Sequence, residues 1–504
     1  MSLATVMART PVCFEPEPGM RVVMFITFVP TKEDIEVLEA TLRAAMQIRH
    51  SCASARDGTH RGTFDIYLLD ENNDPNAKGA GEHLVNRLNR ENPSGNRLYY
   101  FSRFGIKRFN MPSGPFETKT KFGNINACIQ WIRESGVYYD VLMGVDPDHV
   151  PVVEFGQRML GYFRDKTVSF VVGPQTYANA TTNMIARWAE SQQFVFHALI
   201  QRAANAYGSP MLVGTSYAIR WDVLVSIGGI QASITEDMAT TFKLLSAIEF
   251  KSGSPYRSVY TPDVLAHGEG PATWGDYFSQ QSRWARGTLE LFFGSFWSEV
   301  MRLRRRPLRL MHYMLLMTFY PSMALIWVFG AVNAIIYAAF GASAVIVDPL
   351  VWLAFYGWAA VAQATIYIRS RKHNVSPYED PESWGVSGML MSVLASPIFA
   401  GEFVKMVFRR PAKFVVTPKG AKSSGDSLFT FRFHLAWGVL FVAIIALCVH
   451  NGYASPGALA WPIMGTLISF APVTIWLSMR LRRSSVNEVA LPDVTMATPI
   501  RRSA

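Results

Sequence analysis

The chain has 504 residues, of which 50% are hydrophobic and 17% are charged. This composition excludes an ordinary soluble protein and a protein built only of membrane helices, so we expect a soluble domain joined to a membrane region. The net charge of +10 suits nucleic acid, an anionic membrane or a phosphorylated substrate. Arginines cluster beside apolar stretches, as between residues 302 and 306, which favours the membrane and argues against nucleic acid.

The cysteines and the first apolar run indicate the cellular compartment in which the first part of the chain is expected. Four cysteines lie far apart without a Cys-x-x-Cys pattern, which predicts neither a zinc site nor a disulfide framework. The run from Val22 to Val29 is too short for the core of a signal peptide. We therefore expect residues 1–19 to be an N-terminal tail and the region after it to face the cytosol.

From about residue 20 to residue 300, short apolar runs alternate with amphipathic stretches, which predicts an α/β domain. A helix is predicted from Asp34 to Ile48. Ligands of open α/β sheets bind at the carboxyl ends of the strands, where Asp70 and Asp146 lie. The predicted strands are Val22 to Val29, Phe64 to Leu69, Val137 to Val145 and Phe170 to Val172.

Residues 301–483 are predicted to form the membrane region. The loops 341–349 and 451–456 carry no Lys or Arg, so the positive-inside rule places both termini in the cytoplasm. About 20 apolar residues suffice to cross a bilayer. Four runs meet this need: Leu310 to Phe340, Leu350 to Ile368, Leu435 to Val449 and Leu459 to Met479, the third together with its flanks.

Two further segments flank these runs. Residues 384–410 have apolar side chains at near-helical spacing, interrupted by Pro397, which predicts amphipathic helices at the membrane interface. A fifth, short membrane segment is the alternative. Residues 484–504 are predicted to be a disordered cytoplasmic tail.

The sequence Asp146-Pro147-Asp148 follows a predicted buried strand. Two carboxylates in this arrangement can share a hard divalent cation, Mg²⁺ or Mn²⁺, and through it a diphosphate. A surface loop is the alternative for so short a motif. The adjacent His149 would contact the metal or a phosphate, or else be structural.

Three more motifs carry candidate chemistry. In Thr235-Glu236-Asp237, capping of the following helix by Thr235 would explain the residue types without catalysis. In residues 280–284, QQSRW, the tryptophan offers a flat face to a sugar ring and the arginine a guanidinium to a diphosphate. An interfacial anchor is the alternative there. Residues 414–420, FVVTPKG, lie in a predicted loop, for which a basic juxtamembrane loop is the alternative.

The four motifs in this order resemble those of the processive family 2 glycosyltransferases, in particular the cellulose synthase group, with hyaluronan and chitin synthases as relatives. The resemblance extends over roughly residues 20 to 480. It implies a GT-A-type, Rossmann-like glycosyltransferase domain over residues 20–300. It also implies a gating-type loop at about residues 412–426 within the membrane region.

The resemblance assigns roles to single residues. The sequence departs from the family pattern after Asp70, where Glu71-Asn72 replaces Asp-Gly, and at residues 30–33, where only Thr31 and Glu33 match. The implied roles are general base for Asp237 with Glu236 beside it; metal binding for Asp148, Asp146 and His149; nucleotide-sugar binding for Asp70, Lys121, Asp146, Arg283, Thr417 and Lys419; and acceptor binding for Trp284, Gln280 and Gln281.

The implied function is transfer of a hexose from a nucleotide sugar, UDP-glucose by the 414–420 motif, to the growing end of a β-linked polysaccharide. The location would be the inner (plasma) membrane, in contact with lipid. Because no apolar spans precede the α/β region in this sequence, we expect a partner subunit or homo-oligomer to complete an export path. The alternatives are a non-processive transferase to a lipid or short acceptor, a chitin- or hyaluronan-type synthase that uses UDP-N-acetylglucosamine, and an inactive membrane scaffold.

Overall fold

The computed structural model describes residues 2–50, 61–71, 79–342, 348–410 and 425–486. These ranges contain the strands β1 (Arg21–Phe28), β2 (Thr63–Asp70), β3 (Arg97–Ser102), β4 (Val141–Val145), β5 (Val150–Pro151), β6 (Val168–Val172), β7 (Tyr217–Arg220), β8 (Arg257–Tyr260) and β9 (Ala266–His267). They also contain the helices α1 (Ser2–Met7), α2 (Ile35–Met46), α3 (Ala80–Glu91), α4 (Lys121–Glu134), α5 (Phe155–Leu160), α6 (Met184–Phe194), α7 (Arg202–Ala204), α8 (Trp221–Ser226), α9 (Glu236–Ser246), α10 (Trp274–Phe293), α11 (Phe296–Val300), α12 (Pro307–Met317), α13 (Phe319–Phe340), α14 (Pro349–Ser370), α15 (Val386–Leu394), α16 (Ser396–Val407), α17 (Arg432–His450) and α18 (Pro456–Val486).

Seven strands form one mixed sheet in the order β3-β2-β1-β4-β7-β6-β8, which confirms the predicted α/β fold. The strands β1 to β4 pair in parallel, and β7 runs antiparallel to β4 and β6. Phe28 lies opposite Asp70, and Ile26 lies opposite Val145. The carboxyl ends of β1, β2 and β4 therefore meet at one edge of the sheet, where Asp146 follows β4.

Strand β1 contributes to two hydrophobic cores, one on each face of the sheet. Val22, Met24 and Ile26 pack into the core that contains α2 and α3, and Val23 and Phe25 into the core that contains α4 and α9. Burial on both faces is typical of parallel strands that are covered by helices. It explains why the strand appears in the sequence as a continuous apolar run and not as an alternating one.

The first nineteen residues, predicted to be a tail, contain helix α1. The backbone N–H of Arg9 donates a hydrogen bond to the Arg202 carbonyl (3.2 Å), and the Asn205 side chain donates one to the Arg9 carbonyl (3.0 Å). The described part of this segment thus packs on the α/β domain, beside α7.

The described residues divide into two compact units. One comprises Met1–Asn333 and Ser343–Asp426, and the other comprises Ala334–Ala342 and Ser427–Ala504. In the second unit, α17 and α18 pack together, with Gly438 in contact with Phe470 and Gly465 in contact with Phe441. The sheet and every site residue discussed below lie in the first unit.

Four described segments are long and apolar enough to cross a membrane. Three of them contain or overlap predicted spans, and the remaining predicted span, Leu350 to Ile368, lies within the 22-residue helix α14. The fourth segment is made of α15 and α16, for which interfacial helices were predicted. The segments are Phe319–Phe340, Val386–Val407, Leu428–His450 and Pro456–Leu481.

Helices α15 and α16 pack against the α/β domain. They meet at Ala395, with Pro397 in the first turn of α16. The Tyr277 hydroxyl on α10 donates to the Met391 carbonyl (3.0 Å), and the Ser282 hydroxyl donates to the Glu402 carboxylate (2.6 Å). The interfacial position of these helices stays a prediction, and their length and composition also suit the alternative of a membrane segment.

Candidate active site

The turn of residues 146–149 follows the fully buried strand β4 and is fixed on two sides. The backbone N–H of Asp146 donates to the Thr215 hydroxyl (3.0 Å). The Thr41 hydroxyl on α2 donates to the Pro147 carbonyl (2.7 Å). The position of the two carboxylates is therefore set by contacts from distant parts of the domain.

Asp146, Asp148 and His149 can each place one ligand atom within 4.8 Å of the others. Asp148 and His149 are buried, and the His149 Nε2 atom has no hydrogen-bond partner among the described residues. Carboxylate oxygens suit Mg²⁺ and Mn²⁺, and imidazole is a common ligand of transition metals. The three residues predicted to bind metal thus fit a divalent cation.

His149 fits its place because residue 268 has no side chain. A Cβ at Gly268 would lie 2.3 Å from His149 Nε2 and 2.4 Å from its Cε1. Since the imidazole is rigid and buried, Gly268→Ala is expected to displace the ring, to cost about 1–3 kcal/mol of stability and to weaken Mn²⁺ binding about tenfold. Thermal melting and Mn²⁺ titration would measure both effects.

A matched control for this change is Gly357→Ala on α14, where the nearest atom to the added Cβ lies 4.0 Å away. We expect this variant to bind Mn²⁺ as the unchanged protein does. Equal melting temperatures and equal Mn²⁺ affinities for the two variants would contradict the proposed fit.

Lys121 begins helix α4 and faces the first carboxylate of the turn. Its ammonium donates to Asp146 Oδ1 (2.5 Å) and to the Gly214 carbonyl (2.7 Å). Burial lowers the pKa of Lys121, but the negative charges of Asp146 and Glu236 outweigh this effect and raise it. Lys121 is therefore a fixed positive charge beside Asp146.

Helix α9 begins at the two acidic residues that were singled out in the sequence. Burial raises the pKa of Asp237, while the hydrogen bond from Met238 N and the charges of Lys121 and Arg283 oppose the rise. Burial and the charge of Asp237 raise the pKa of Glu236 to about 7. Two carboxylates with raised pKa values in one cavity are typical of a catalytic site.

The predicted capping role of Thr235 is realised only in part. Thr235 occupies the N-cap position of α9, but its side chain makes no capping hydrogen bond. Its buried hydroxyl has no hydrogen-bond partner in the described part of the chain. Helix capping by the Thr235 side chain therefore does not account for this motif.

Helix α10 carries the predicted acceptor-binding residues, as expected from their helical spacing. Gln280 Nε2 donates to the Tyr177 hydroxyl (3.1 Å). The N-terminus of α10 is capped by Asp426, which accepts from the N–H groups of Trp274 (3.1 Å) and Gly275 (2.8 Å). Further along α10, Arg286 donates to the Arg410 carbonyl (2.6 Å).

One cavity of about 1820 Å³ contains almost all of these groups. A pocket for one small molecule usually has about 300–1,000 Å³, so this cavity has room for more than one small molecule. The predicted site residues that line it are Lys121, Asp146, Asp148, His149, Glu236, Asp237, Gln280, Gln281, Arg283 and Trp284.

Asp70 is not among the residues that line the cavity. It ends β2 fully buried, and it accepts a hydrogen bond from the Tyr100 hydroxyl (2.8 Å). The next residue, Glu71, lines the cavity and forms a buried ion pair with Arg103 (2.6 Å). The structure therefore places Glu71, and not Asp70, on the cavity wall.

Replacing Asp70 by Asn is expected to change stability in a pH-dependent way. Burial raises the pKa of Asp70 from 3.8 to about 6, so its contribution to stability is present below pH 4 and is lost as the pH rises through 6. The difference in unfolding free energy between variant and unchanged protein should therefore favour the variant more at pH 8 than at pH 5, by about 1–3 kcal/mol. Denaturant titrations at both pH values measure this difference.

The donor KM provides the second measurement for the same variant. Since Asp70 lies outside the cavity, we expect Asp70→Asn to leave the donor KM unchanged. A tenfold rise in KM without any pH-dependent change in stability would instead support the nucleotide-binding role that the family resemblance implies.

Thr417 and Lys419, in the predicted gating-type loop, lie outside the described residues. Their roles stay predictions. Arg410 and Asp426, which contact α10 as described above, lie before and after this part of the chain.

Several other residues of the site belong to none of the four motifs. A π-helix, Val195–Gln201, continues α6 and places His197 on the cavity wall. Burial lowers the pKa of His197 to about 3, and its Nδ1 has no hydrogen-bond partner among the described residues. His197, Thr215 and Gly268 are brought to the site by tertiary contacts that no local pattern in the sequence indicates.

Comparisons with known proteins agree with this geometry. A family model described as "Glycosyl transferase family group 2" matches residues 145–366. A UDP-forming cellulose synthase catalytic subunit of Dictyostelium discoideum is 27% identical over 321 residues, which cover 61% of this chain and 29% of that protein. The UDP-forming cellulose synthase catalytic subunit of Pseudomonas fluorescens is 27% identical over 180 residues, covering 34% and 22%.

A third relative is the probable glycosyltransferase YdaM of Bacillus subtilis, 24% identical over 170 residues, which cover 33% of this chain and 39% of that protein. The chain thus spans well under half the length of each of these relatives. The fold, the carboxylate site and the matches support a family 2 glycosyltransferase, to which the chain is similar over residues 145–366. Two of these relatives are cellulose synthase catalytic subunits, so the similarity extends to that group.

Proposed function

We propose that the chain is an inverting hexosyltransferase at the membrane surface. It extends a β-linked glycan with hexose units from a nucleotide sugar, for which UDP-glucose is the first candidate. The observation that carries the proposal is the convergence of Asp148, Asp237, Arg283 and Trp284 on one cavity. The four residues come from three separate elements, so their convergence is not a consequence of neighbouring positions in the sequence.

The donor end of the proposed site is the edge of the sheet beyond β4. Lys121 and Arg283 supply positive charge for the diphosphate, and the adjacent Asp146 orients Lys121. When bound, a divalent cation held by Asp148, with Asp146 and His149, would neutralise negative charge on the diphosphate.

The transfer itself requires one base. The acceptor hydroxyl oxygen attacks the anomeric carbon of the donor, and the bond from that carbon to the diphosphate oxygen breaks with its electron pair leaving on the nucleotide. The carboxylate of Asp237 takes the proton of the hydroxyl. Because attack and departure occur on opposite faces, the configuration at the anomeric carbon inverts.

The acceptor end is assigned to α10. The half-buried Trp284 lines the same cavity and offers an apolar ring face on which a sugar can stack. Gln280 and Gln281 supply amide groups for the sugar hydroxyls. The cavity is large enough to hold the terminal sugar of a glycan together with the sugars next to it.

The proposed setting is the inner (plasma) membrane, with the α/β domain in the cytoplasm. The four apolar helical segments and the likeness to cellulose synthases support a membrane protein. The distribution of Lys and Arg around the apolar runs supports the cytoplasmic side. A partner subunit or a second copy of the chain would complete the export path.

The purified protein in lipid nanodiscs, incubated with a panel of labelled nucleotide sugars and either Mg²⁺ or Mn²⁺, tests the proposal. We expect release of UDP from UDP-glucose, and a product that β-specific glucan hydrolases degrade. A product from UDP-N-acetylglucosamine alone would favour the chitin- or hyaluronan-type alternative. Absence of nucleotide release from every donor would contradict an enzyme and favour the inactive scaffold.

A further inference from the structure

The catalytic cavity continues beyond the sugar site into a region that we name the apolar branch. Three helices provide its walls: α12 with Leu308, Met311 and Leu315, α14 with Ala360 and Ala364, and α15 with Met389. Polar side chains, among them His312 and Gln363, are in the minority in this region. Aliphatic side chains outnumber the aromatic ones of this region, which are Phe319, Tyr320, Tyr367 and Trp384. A mainly aliphatic wall suits a hydrocarbon better than a glycan, which needs hydrogen-bonding groups as well as rings.

The apolar branch is open to the outside. Leu308, Met311 and Leu315 lie on one face of α12, and they are 46%, 41% and 67% exposed although they line the cavity. On α14, the small residues Ala360 and Ala364 are also exposed and line the cavity one turn apart. These exposed apolar side chains of α12 and α14 therefore also form part of the cavity wall.

The location of this opening determines what can enter. Helix α12 directly precedes α13, a candidate membrane span, and α14 is apolar and exposed along most of its length. Exposed apolar side chains on neighbouring helices are unfavourable in water and favourable against lipid chains. The branch thus connects the exposed apolar helices α12 and α14 with the cavity that Asp148 and Asp237 line.

We propose that the acceptor is a glycolipid, with its terminal sugar at Trp284 and its hydrocarbon chain in the apolar branch. The proposal rests on the proposed function, since it assigns the sugar to the acceptor end of that site. It adds a substrate class, namely sugar chains that grow on a lipid. The hydrocarbon of such an acceptor makes a hydrophobic contact with the protein that a free glycan lacks.

Acceptor preference in nanodiscs tests the proposal. With radiolabelled UDP-glucose as donor, we expect dodecyl β-glucoside to be used at least about 30-fold better than methyl β-glucoside, measured as kcat/KM, because the chain buries apolar surface. Ala364→Trp fills the branch and should reduce that preference to about threefold or less. The matched control, Ala362→Trp, lies on the same helix, exposed and outside the cavity lining, and should keep the preference.

The control separates binding in the branch from simple partitioning of the dodecyl chain into the bilayer, since partitioning affects both variants equally. Equal use of the two glucosides by the unchanged protein would overturn the proposal. The same preference in both tryptophan variants would also overturn it.

A binding measurement separates this proposal from the proposed function. A photoreactive dodecyl glucoside should label peptides of α12 and α14 in the Asp237→Asn variant, and dodecyl glucoside should compete while methyl glucoside does not. Labelling without sugar transfer by the unchanged protein would support the lipid site and contradict the transferase. Transfer to soluble glycans without labelling would support the transferase and overturn the glycolipid acceptor.

Discussion

Asp237→Asn is expected to lower the rate of sugar transfer by about a thousandfold, because general-base catalysis contributes about 10²- to 10⁴-fold. The amide keeps the size of the side chain but cannot take the proton of the acceptor hydroxyl. Nucleotide binding should be retained, since the diphosphate is assigned to Lys121 and Arg283. Initial rates of UDP release, together with UDP affinity from calorimetry, measure the two effects.

The pH profile provides an independent check on the base. Because burial raises the pKa of Asp237, the rate should begin to fall at a higher pH than an ordinary aspartate would give as the pH is lowered. Glu236→Gln removes a neighbouring negative charge and should move this fall to lower pH.

A surface variant, Asp222→Asn, is the matched control for Asp237→Asn because Asp222 lies outside the cavity lining and pairs with the exposed Tyr138 (3.0 Å). We expect it to transfer sugar at the rate of the unchanged protein. A rate for Asp237→Asn within threefold of this control would mean that another group accepts the proton.

Asp148→Asn is expected to weaken the binding of Mn²⁺ with UDP by about 10- to 100-fold and to lower the transfer rate by about 10²-fold. The side chain is buried beside His149, so the loss of its charge cannot be replaced by solvent. Titration of Mn²⁺ followed by electron paramagnetic resonance measures the affinity. Chelation by EDTA should reduce the rate of the unchanged protein to that of the variant.

The two aspartate variants should differ in which step of the reaction they impair. Asp148→Asn should impair binding of the nucleotide with metal, whereas Asp237→Asn should impair turnover alone. Asp263→Asn, which alters an acid that is about 39% exposed near Arg158, is the control for charge removal. If Asp148→Asn kept the Mn²⁺ affinity of this control, the assignment of the metal site to residues 146–149 would be wrong.

The fold could be predicted from the sequence wherever the spacing of apolar residues clearly matched a buried strand or an amphipathic helix. Strands β1, β2, β4 and β6 appeared as apolar runs because both of their faces are buried, and α2 appeared through its apolar stripe. The edge of the sheet then located Asp146 correctly. The motifs on α9 and α10 also converge on the cavity, although nothing in their residues indicates the distance between them.

Asp70 shows where such a prediction reaches its limit. Successive side chains of a strand point to opposite faces, so Asp70 shares the face of Ile66 and Leu68, which is covered by α3. Glu71, one position later, is on the other side. A motif places a residue at the end of a strand, but a shift of one position decides whether its side chain lines the cavity or packs into the core.

The segment of residues 386–407 could not be assigned from composition. Its apolar residues suit both a bilayer and a protein interior, because hydrocarbon and a packed core exclude water alike. Only the tertiary contacts with α6 and α10 show that protein covers much of it. In its most apolar stretch, 56% of the residues are buried.

The π-helix between α6 and α7 has a consequence for how this site can vary. A turn of this type corresponds to an α-helix with one residue inserted. Removing a single residue between Val195 and Gln201 would restore an uninterrupted α-helical phase, and the side chains that precede the deletion would rotate by about 100° relative to those that follow it. His197, which lines the cavity, would then point in a different direction relative to the helical residues beyond the deletion, so the shape of this cavity wall depends on the length of the segment by a single residue.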